Sequence, residues 1–420
     1  MFNLNIINKF QKHSFLKVLS LIFLTLFLAS LPSLEAPKNI FMFLFLISAF
    51  LIEVKDRTYK NYEIWDGIFL SLILSALLSA SFGALNGYEW KGFRTILFTS
   101  LMGWILYRYK YTTKEFNFFY WVTILSIIPP LLWGLTEVFI FNSKTSLQLN
   151  SVGHVNHSAI YLTLIYGALV SKVVNIDNND STIKKIGLYA LTLILFASLV
   201  IGESRAAFGC GILISLLSIF FSKKSINKKI MGYIYFSVLL ALTVLLNVAV
   251  IKKITIKMDG HDNLSARDKL WSISIEGSKI NPILGLGNGN WKLMPEEKIK
   301  QITESQNKNY SPDDFNFAIK HGHPHNLYLV YLAERGIFGL LTLASFILFW
   351  LFKLIKSYPT TKKSKGYLLF WMSSLSAWIT VFGIGLVNST FHHETALLAF
   401  VFLSLQLGYL RLINAQRIQI

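Results

Sequence analysis

Cysteine is almost absent from this chain. Cys210 is the only one, and it lies within an apolar run. A disulfide framework and a cysteine-rich metal centre are thereby excluded. Charge is scarce as well, at 15% of the 420 residues, and acidic side chains are the rarer sign, with 22 Asp and Glu against 40 Lys and Arg. No internal repeat or low-complexity tract breaks the sequence. A nucleotide fingerprint is missing too: Gly285, Gly287 and Gly289 follow no strand of a βαβ unit. What takes the place of charge is apolar surface, 53% hydrophobic and 15% aromatic, with a mean hydropathy of +0.50. Such values belong to polytopic membrane proteins and not to soluble domains.

A helix that crosses the hydrocarbon needs about 20 mostly apolar residues. Stretches of that kind fall near 14–31, 39–54, 64–82, 92–107, 116–140, 157–174, 186–202, 204–221, 230–251, 326–352, 366–387 and 394–410. The expected fold is therefore all-α, a polytopic integral membrane protein with about twelve transmembrane helices. The N-terminus resembles a signal peptide, with Lys9, Lys12 and Lys17 ahead of an apolar run, but further spans follow at once and an uncleaved first helix is expected.

Lysine and arginine set the orientation. With the N-terminus in the cytoplasm, the cytoplasmic connections hold Lys55, Arg57 and Lys60, then Arg108, Lys110 and Lys114, then Lys223, Lys224, Lys228 and Lys229, and similar groups further on. The short loops opposite, with adjoining helix starts, hold only Lys38, Lys91, Arg94, Lys144 and Arg205. Both termini are then cytoplasmic. The same alternation accounts for the net charge of +18, so no nucleic-acid partner is needed.

One outer connection, residues 252–325, is long and polar. It divides the chain into spans one to nine (1–251), an outer loop domain (252–325) and spans ten to twelve (326–420). Ser265-Ala266-Arg267-Asp268 reads as a capping box that opens a short helix through Trp271 and Ile275. Asn281 to Trp291 ends that helix as a turn-rich loop. Residues 295–320 are polar and read as a further helix or an ordered loop.

The residues that could carry chemistry gather on the outer side. His321, His323 and His325 alternate just before an apolar span. Pro324 biases His323 toward extended backbone, and Asn326 is a natural N-cap. His325 is then expected just outside a helix N-terminus, where free N–H groups and the helix dipole favour anions. Arg205, behind the cap Ser204, falls in the first turn of its helix, a position that disfavours a cation unless an anion joins it. Arg267 sits in a similar first-turn position, beside Asp268. Arg94 is a weaker outer-side candidate. His154, His157, His392, His393 and Glu394 lie on the same side, yet no spacing among them makes a metal motif. Glu334 and Arg335 either lie within the tenth span and face the protein interior, or sit above the membrane with 336–352 left to cross it.

These pieces carry a resemblance. Ser204-Arg-Ala206, Ser265-Ala-Arg-Asp-Lys-Leu-Trp271, Asn281-Pro-Ile-Leu-Gly-Leu-Gly287, His323-Pro-His-Asn326 and Gly336-Ile-Phe-Gly339 together resemble the O-antigen ligase family, within the wider superfamily of O-antigen ligases and polymerases. The resemblance implies a metal-independent glycosyltransferase without a cofactor, in the inner membrane of a Gram-negative bacterium. It implies transfer of a glycan from undecaprenyl diphosphate, the donor, to lipid A–core, the acceptor, at the periplasmic face amid membrane lipid. By the same resemblance Arg205 and Arg267 hold the donor diphosphate and His325 is the essential histidine, with His323 assisting substrate orientation. Two other readings stay open on the sequence: an O-antigen polymerase, and a flippase or transporter of lipid-linked sugars.

Overall fold

The computed structural model describes residues 4–56, 62–177, 179–246, 267–359 and 365–418. Among them there is no strand, and the chain is an all-α polytopic membrane protein. The helices are α1 (Leu4–Ser30), α2 (Glu35–Asp56), α3 (Ile64–Phe82), α4 (Glu89–Arg108), α5 (Thr113–Leu125), α6 (Ile128–Phe139), α7 (Val155–Val174), α8 (Thr182–Ile201), α9 (Arg205–Phe221) and α10 (Ile226–Leu246). Then come α11 (Arg267–Ser278), α12 (Glu296–Ser305), α13 (Pro312–His321), α14 (Leu327–Lys356), α15 (Lys365–Trp378) and α16 (His393–Ile418). The expected spans fall on helix to within a residue or two, except 116–140, which is broken, and 366–387, where α15 passes into a π-helical turn at Ile379–Gly383 and residues 385–387 are turn; residues 247–251 of the ninth lie outside the described residues. Eight helical stretches are long and apolar enough to cross a membrane, while Phe15–Ser30 and Arg205–Phe221 are apolar but shorter.

The expected single span over 116–140 is two helices. Pro129 and Pro130 open α6 in its first turn, where a missing N–H costs nothing. They cannot continue the ladder from α5, so the chain breaks at Ser126 and Ile127. At the centre of the bundle, α7 is buried from Ser158 to Ser171, packed by α8, α9, α15 and α16. An aromatic cluster of Trp65, Phe69, Phe346, Phe382, Phe391 and Phe400 joins α3, α14 and α16.

Ion pairs and hydrogen bonds tie the connections together in two groups. At one end Arg108 bonds Asp66 at 3.1 Å, Arg411 reaches Glu63 at 3.1 Å, and Lys224 donates to the Ile176 carbonyl. At the other, buried Lys38 pairs with Glu394, and the connection that ends at Asn326 packs down on the bundle.

That connection has a core of its own. Leu270, Ile273, Leu286, Trp291, Met294, Ile299 and Phe315 pack together with Ala333 of α14. The Trp291 indole donates to Ser274 Oγ at 3.2 Å, and the buried Glu276 carboxylate accepts from Lys279 at 2.7 Å and Lys308 at 2.9 Å. The segment 295–320 resolves into two helices, α12 and α13, the second opened by the Ser311 cap and closed by left-handed Gly322. Of the expected capping box, Ser265 and Ala266 lie outside the described residues, and the helix is described from Arg267.

The glycine-rich loop is a docking device. Helix α14 breaks at Gly336, whose φ of 62° and ψ of −166° only glycine adopts readily. Residues 282–287 bond into the break: Leu286 N–H to Ala333 O at 2.9 Å, Gly287 N–H to Glu334 O at 3.0 Å, and Ile337 N–H to Pro282 O at 2.8 Å. A Cβ on Gly285 would strike the Glu334–Arg335 backbone, and one on Gly336 would strike Ile283. The far side of the loop bonds Ala84 and Leu85, each at 3.0 Å. Glu334 and Arg335 therefore belong to the level at which this loop docks. The helix beyond Gly336 still runs on for about 30 Å at 1.5 Å per residue.

Candidate functional site

The histidine segment lies between α13 and α14, at the end of the bundle where the outer connection docks. Asn326 caps α14 as expected: its Oδ1 accepts from Tyr328 N at 2.9 Å and Leu329 N at 3.1 Å. The Leu327 N–H goes to the Gly385 carbonyl at 2.8 Å. This corrects one expectation. The N–H groups that were to be free for an anion are taken, by the cap and by the 384–392 loop. Only the helix dipole remains, and an anion beside His325 has to find its donors elsewhere.

His325 itself has left-handed backbone, φ 48°, which costs a non-glycine residue free energy and is maintained by its surroundings. Its backbone N–H donates to His323 Nδ1 at 3.3 Å. Its ring Nδ1 faces Asn388 Oδ1 at 3.4 Å. Since an amide oxygen only accepts, Nδ1 carries the proton and Nε2 presents a lone pair. Burial pushes the His325 pKa down; the Asn388 hydrogen bond opposes this, while Arg267, His321 and His154 push it further down. The ring is thus poised neutral, the state a general base requires.

His323 is part of the support. Its ring centroid lies 4.0 Å from that of His325, and its Nδ1 also meets Ser389 Oγ at 3.4 Å. Burial, reinforced by the neighbouring histidines, pushes its pKa down to about 3. A neutral ring that accepts the His325 N–H holds the strained residue in place. His323 also opens onto a cavity of about 540 Å³, which His157 and His392 line as well.

The two arginines come together with His325 electrostatically. Arg267, half-buried at the start of α11, has its pKa lowered by burial and then by the charge of Arg205. Arg267 in turn acts on His325. Arg205 opens α9 behind the Ser204 cap, as expected, and is exposed. Like charge at the first turns of α9 and α11 disfavours both cations unless an anion joins them.

The other histidines and Glu394 lie around the same end, His157, His392, His393 and Glu394 lining the cavity with His323. His154 caps α7, its Nδ1 accepting from Asn156 N at 3.3 Å. His157 packs on His392, ring centroids 4.6 Å apart. Glu394 is the partner of Lys38. Arg94 lies exposed on α4 and joins none of these groups. Among the described residues no three His, Cys, Asp or Glu side chains gather to hold a metal ion.

Residues 190–344 match the O-antigen ligase family model. Over that segment the chain is similar to the O-antigen ligase family. No curated protein matches the chain. The O-antigen ligase segment runs from within α8 into α14 and so contains Arg205, Arg267, His323 and His325. Asn388 and Ser389, which position the histidine pair, lie outside it. Sequence reasoning missed both. A polar Asn-Ser-Thr run at 388–390, breaking an apolar stretch, was the available signal.

Proposed function

We propose that this membrane enzyme is an O-antigen ligase, an inverting and metal-independent glycosyltransferase. Its donor is O-antigen linked to undecaprenyl diphosphate, and its acceptor is lipid A–core. The observation that carries the reading is the convergence of a neutral, strained histidine with two mutually repelling arginines at one end of the bundle. The acceptor hydroxyl attacks the anomeric carbon from the face opposite the diphosphate. His325 Nε2 takes the hydroxyl proton as the new C–O bond forms. The old C–O bond breaks, and its electron pair leaves with the diphosphate. Arg205 and Arg267 neutralise the charge that grows there, which matters most in a site shielded from water.

In this reading the chain lies in the inner membrane with both termini cytoplasmic, and the site faces the periplasm. Residues 1–251 and 326–420 supply the spans, and 252–325 the periplasmic unit. The family is shared with polymerases, so the test is a deletion followed by gel analysis of lipopolysaccharide. Loss of a ligase leaves bare core and accumulates lipid-linked polymer. Core carrying a single repeat would assign the chain as a polymerase instead.

A further inference from the structure

Arg335 is buried with two of its guanidinium nitrogens unbonded. It is 5% exposed, and its Nε and Nη1 have no hydrogen-bond partner among the described residues. Its one close contact is the Tyr331 ring, 4.0 Å below the guanidinium carbon. No carboxylate among the described residues lies within ion-pair distance of it; Glu334, its neighbour, feels its charge but takes its hydrogen bond from the Gly289 backbone. A buried and unpaired guanidinium is among the costliest groups a fold can hold, and in a membrane protein it marks a functional site. Its position is built in, because the Gly336 break docked on residues 282–287 fixes the turn that carries it.

The side chain lines the same cavity of about 540 Å³ as His323. The remaining walls are largely apolar, among them Ile96 of α4, Val330 of α14 and Phe400 of α16. Two carboxylates also line it, but Glu394 is paired with Lys38 and Glu334 takes the Gly289 hydrogen bond, so Arg335 is the group left with open donors, and a largely apolar chamber of that kind suits an amphipathic anion. Its place in the transfer follows from geometry. His325 feels Arg267, while His323, its ring tilted against that of His325, lines the cavity. Inversion requires the nucleophile opposite the leaving group. Neither Arg205 nor Arg267 lines this cavity, so with the diphosphate on those arginines the cavity falls to the other substrate.

We infer that Arg335 binds an anionic group of the lipid-borne acceptor, a phosphate or a sugar carboxylate, and so aligns its hydroxyl with His325. The inference rests on the donor reading of Arg205 and Arg267. The test uses the full chain in phosphatidylcholine nanodiscs and measures binding of intact lipid A–core, its phosphatase-treated form, its carboxyl-reduced form and undecaprenyl diphosphate. Arg335→Gln should weaken intact acceptor by about 10–100-fold, the loss of hydrogen bonds to a charged group. It should leave undecaprenyl diphosphate binding unchanged, and Arg335→Lys should keep part of the acceptor affinity. The treated form that binds wild type as weakly as the intact acceptor binds Arg335→Gln identifies the anion. Equal acceptor binding by wild type and Arg335→Gln, or a loss confined to undecaprenyl diphosphate, overturns the inference.

Folding is checked separately. Arg335→Met removes an uncompensated charge and should not lower the unfolding temperature of the ligand-free protein. A large drop would make Arg335 a structural residue and also overturn it. Binding is read without transfer, so the two readings fail apart. If wild type transfers no glycan yet shows Arg335-dependent acceptor binding, the ligase reading fails and the anion site stands.

Discussion

At the scale of single residues, His325 carries the sharpest expectation. Its Nδ1 is occupied by Asn388, so Nε2 is the atom that takes the proton. His325→Gln removes the base while keeping a donor, and should lower single-turnover rates by about 10²–10⁴-fold with donor binding intact. A near-normal rate would demote His325 to a binding residue. Arg205→Ala should cost about 10²–10³-fold, the scale for losing one transition-state donor, and Arg205→Lys should fall between because the planar fork is gone. Full activity in Arg205→Ala at normal protein levels would leave that residue a lipid-facing anchor.

The pH dependence follows from the direction of the histidine shifts. Burial lowers the His325 pKa, so the base form persists below the ordinary value of about 6.5. Accordingly kcat/KM should rise with pH only below that value and be flat above it. A rise centred above 7 would mean that another group titrates. His323 gives the matching stability effect. Its folded pKa of about 3 lies below its unfolded value, so the unfolded chain binds the extra proton. Its contribution is complete above about pH 6.5 and is lost as pH falls toward 3. Unfolding temperatures measured across that window should fall less steeply in His323→Gln than in wild type.

At the scale of elements, the break in α14 is the joint on which the outer unit sits. Gly336→Ala forces an alanine into φ 62° and against Ile283, and the backbone strain alone is about 1–3 kcal/mol. Unfolding temperature and transfer should both fall, with proteolysis increasing between α12 and α13. Gly285→Ala should act similarly. Because both glycines serve one docking contact, the double variant should lose less than the sum of the single ones. Additive losses would mean that the two positions act independently. The glycine run was legible in the sequence as a turn-rich loop without a nucleotide role. Its partner was not, because a break within one uniformly apolar helix leaves no periodic trace, and the bonds that fill it come from about 50 residues upstream.

For the whole molecule, the test is sidedness. With Cys210 replaced, cysteines at Ser305 and Lys363 should lie on opposite faces. An impermeant thiol reagent applied to intact spheroplasts should modify position 305 alone. Modification at 363 would invert the orientation and move the site to the cytoplasmic face.

Composition and the spacing of apolar runs by themselves determined the fold class, the helical spans and the alternation of connections, because a chain in hydrocarbon must satisfy its backbone within helices. Local chemistry likewise determined the Asn326, Ser204 and Ser311 caps, since a cap acts over only three residues. Tertiary structure decided the rest of the site. It filled the α14 N-terminus that the sequence left open, brought Asn388 and Ser389 from 63 and 66 residues downstream to fix the histidine pair, and set Arg335 in a cavity with two guanidinium nitrogens unbonded. The physical reason is range: capping and hydropathy act between neighbours along the chain, whereas hydrogen-bond geometry and burial depend on which distant segments the packed helices bring together.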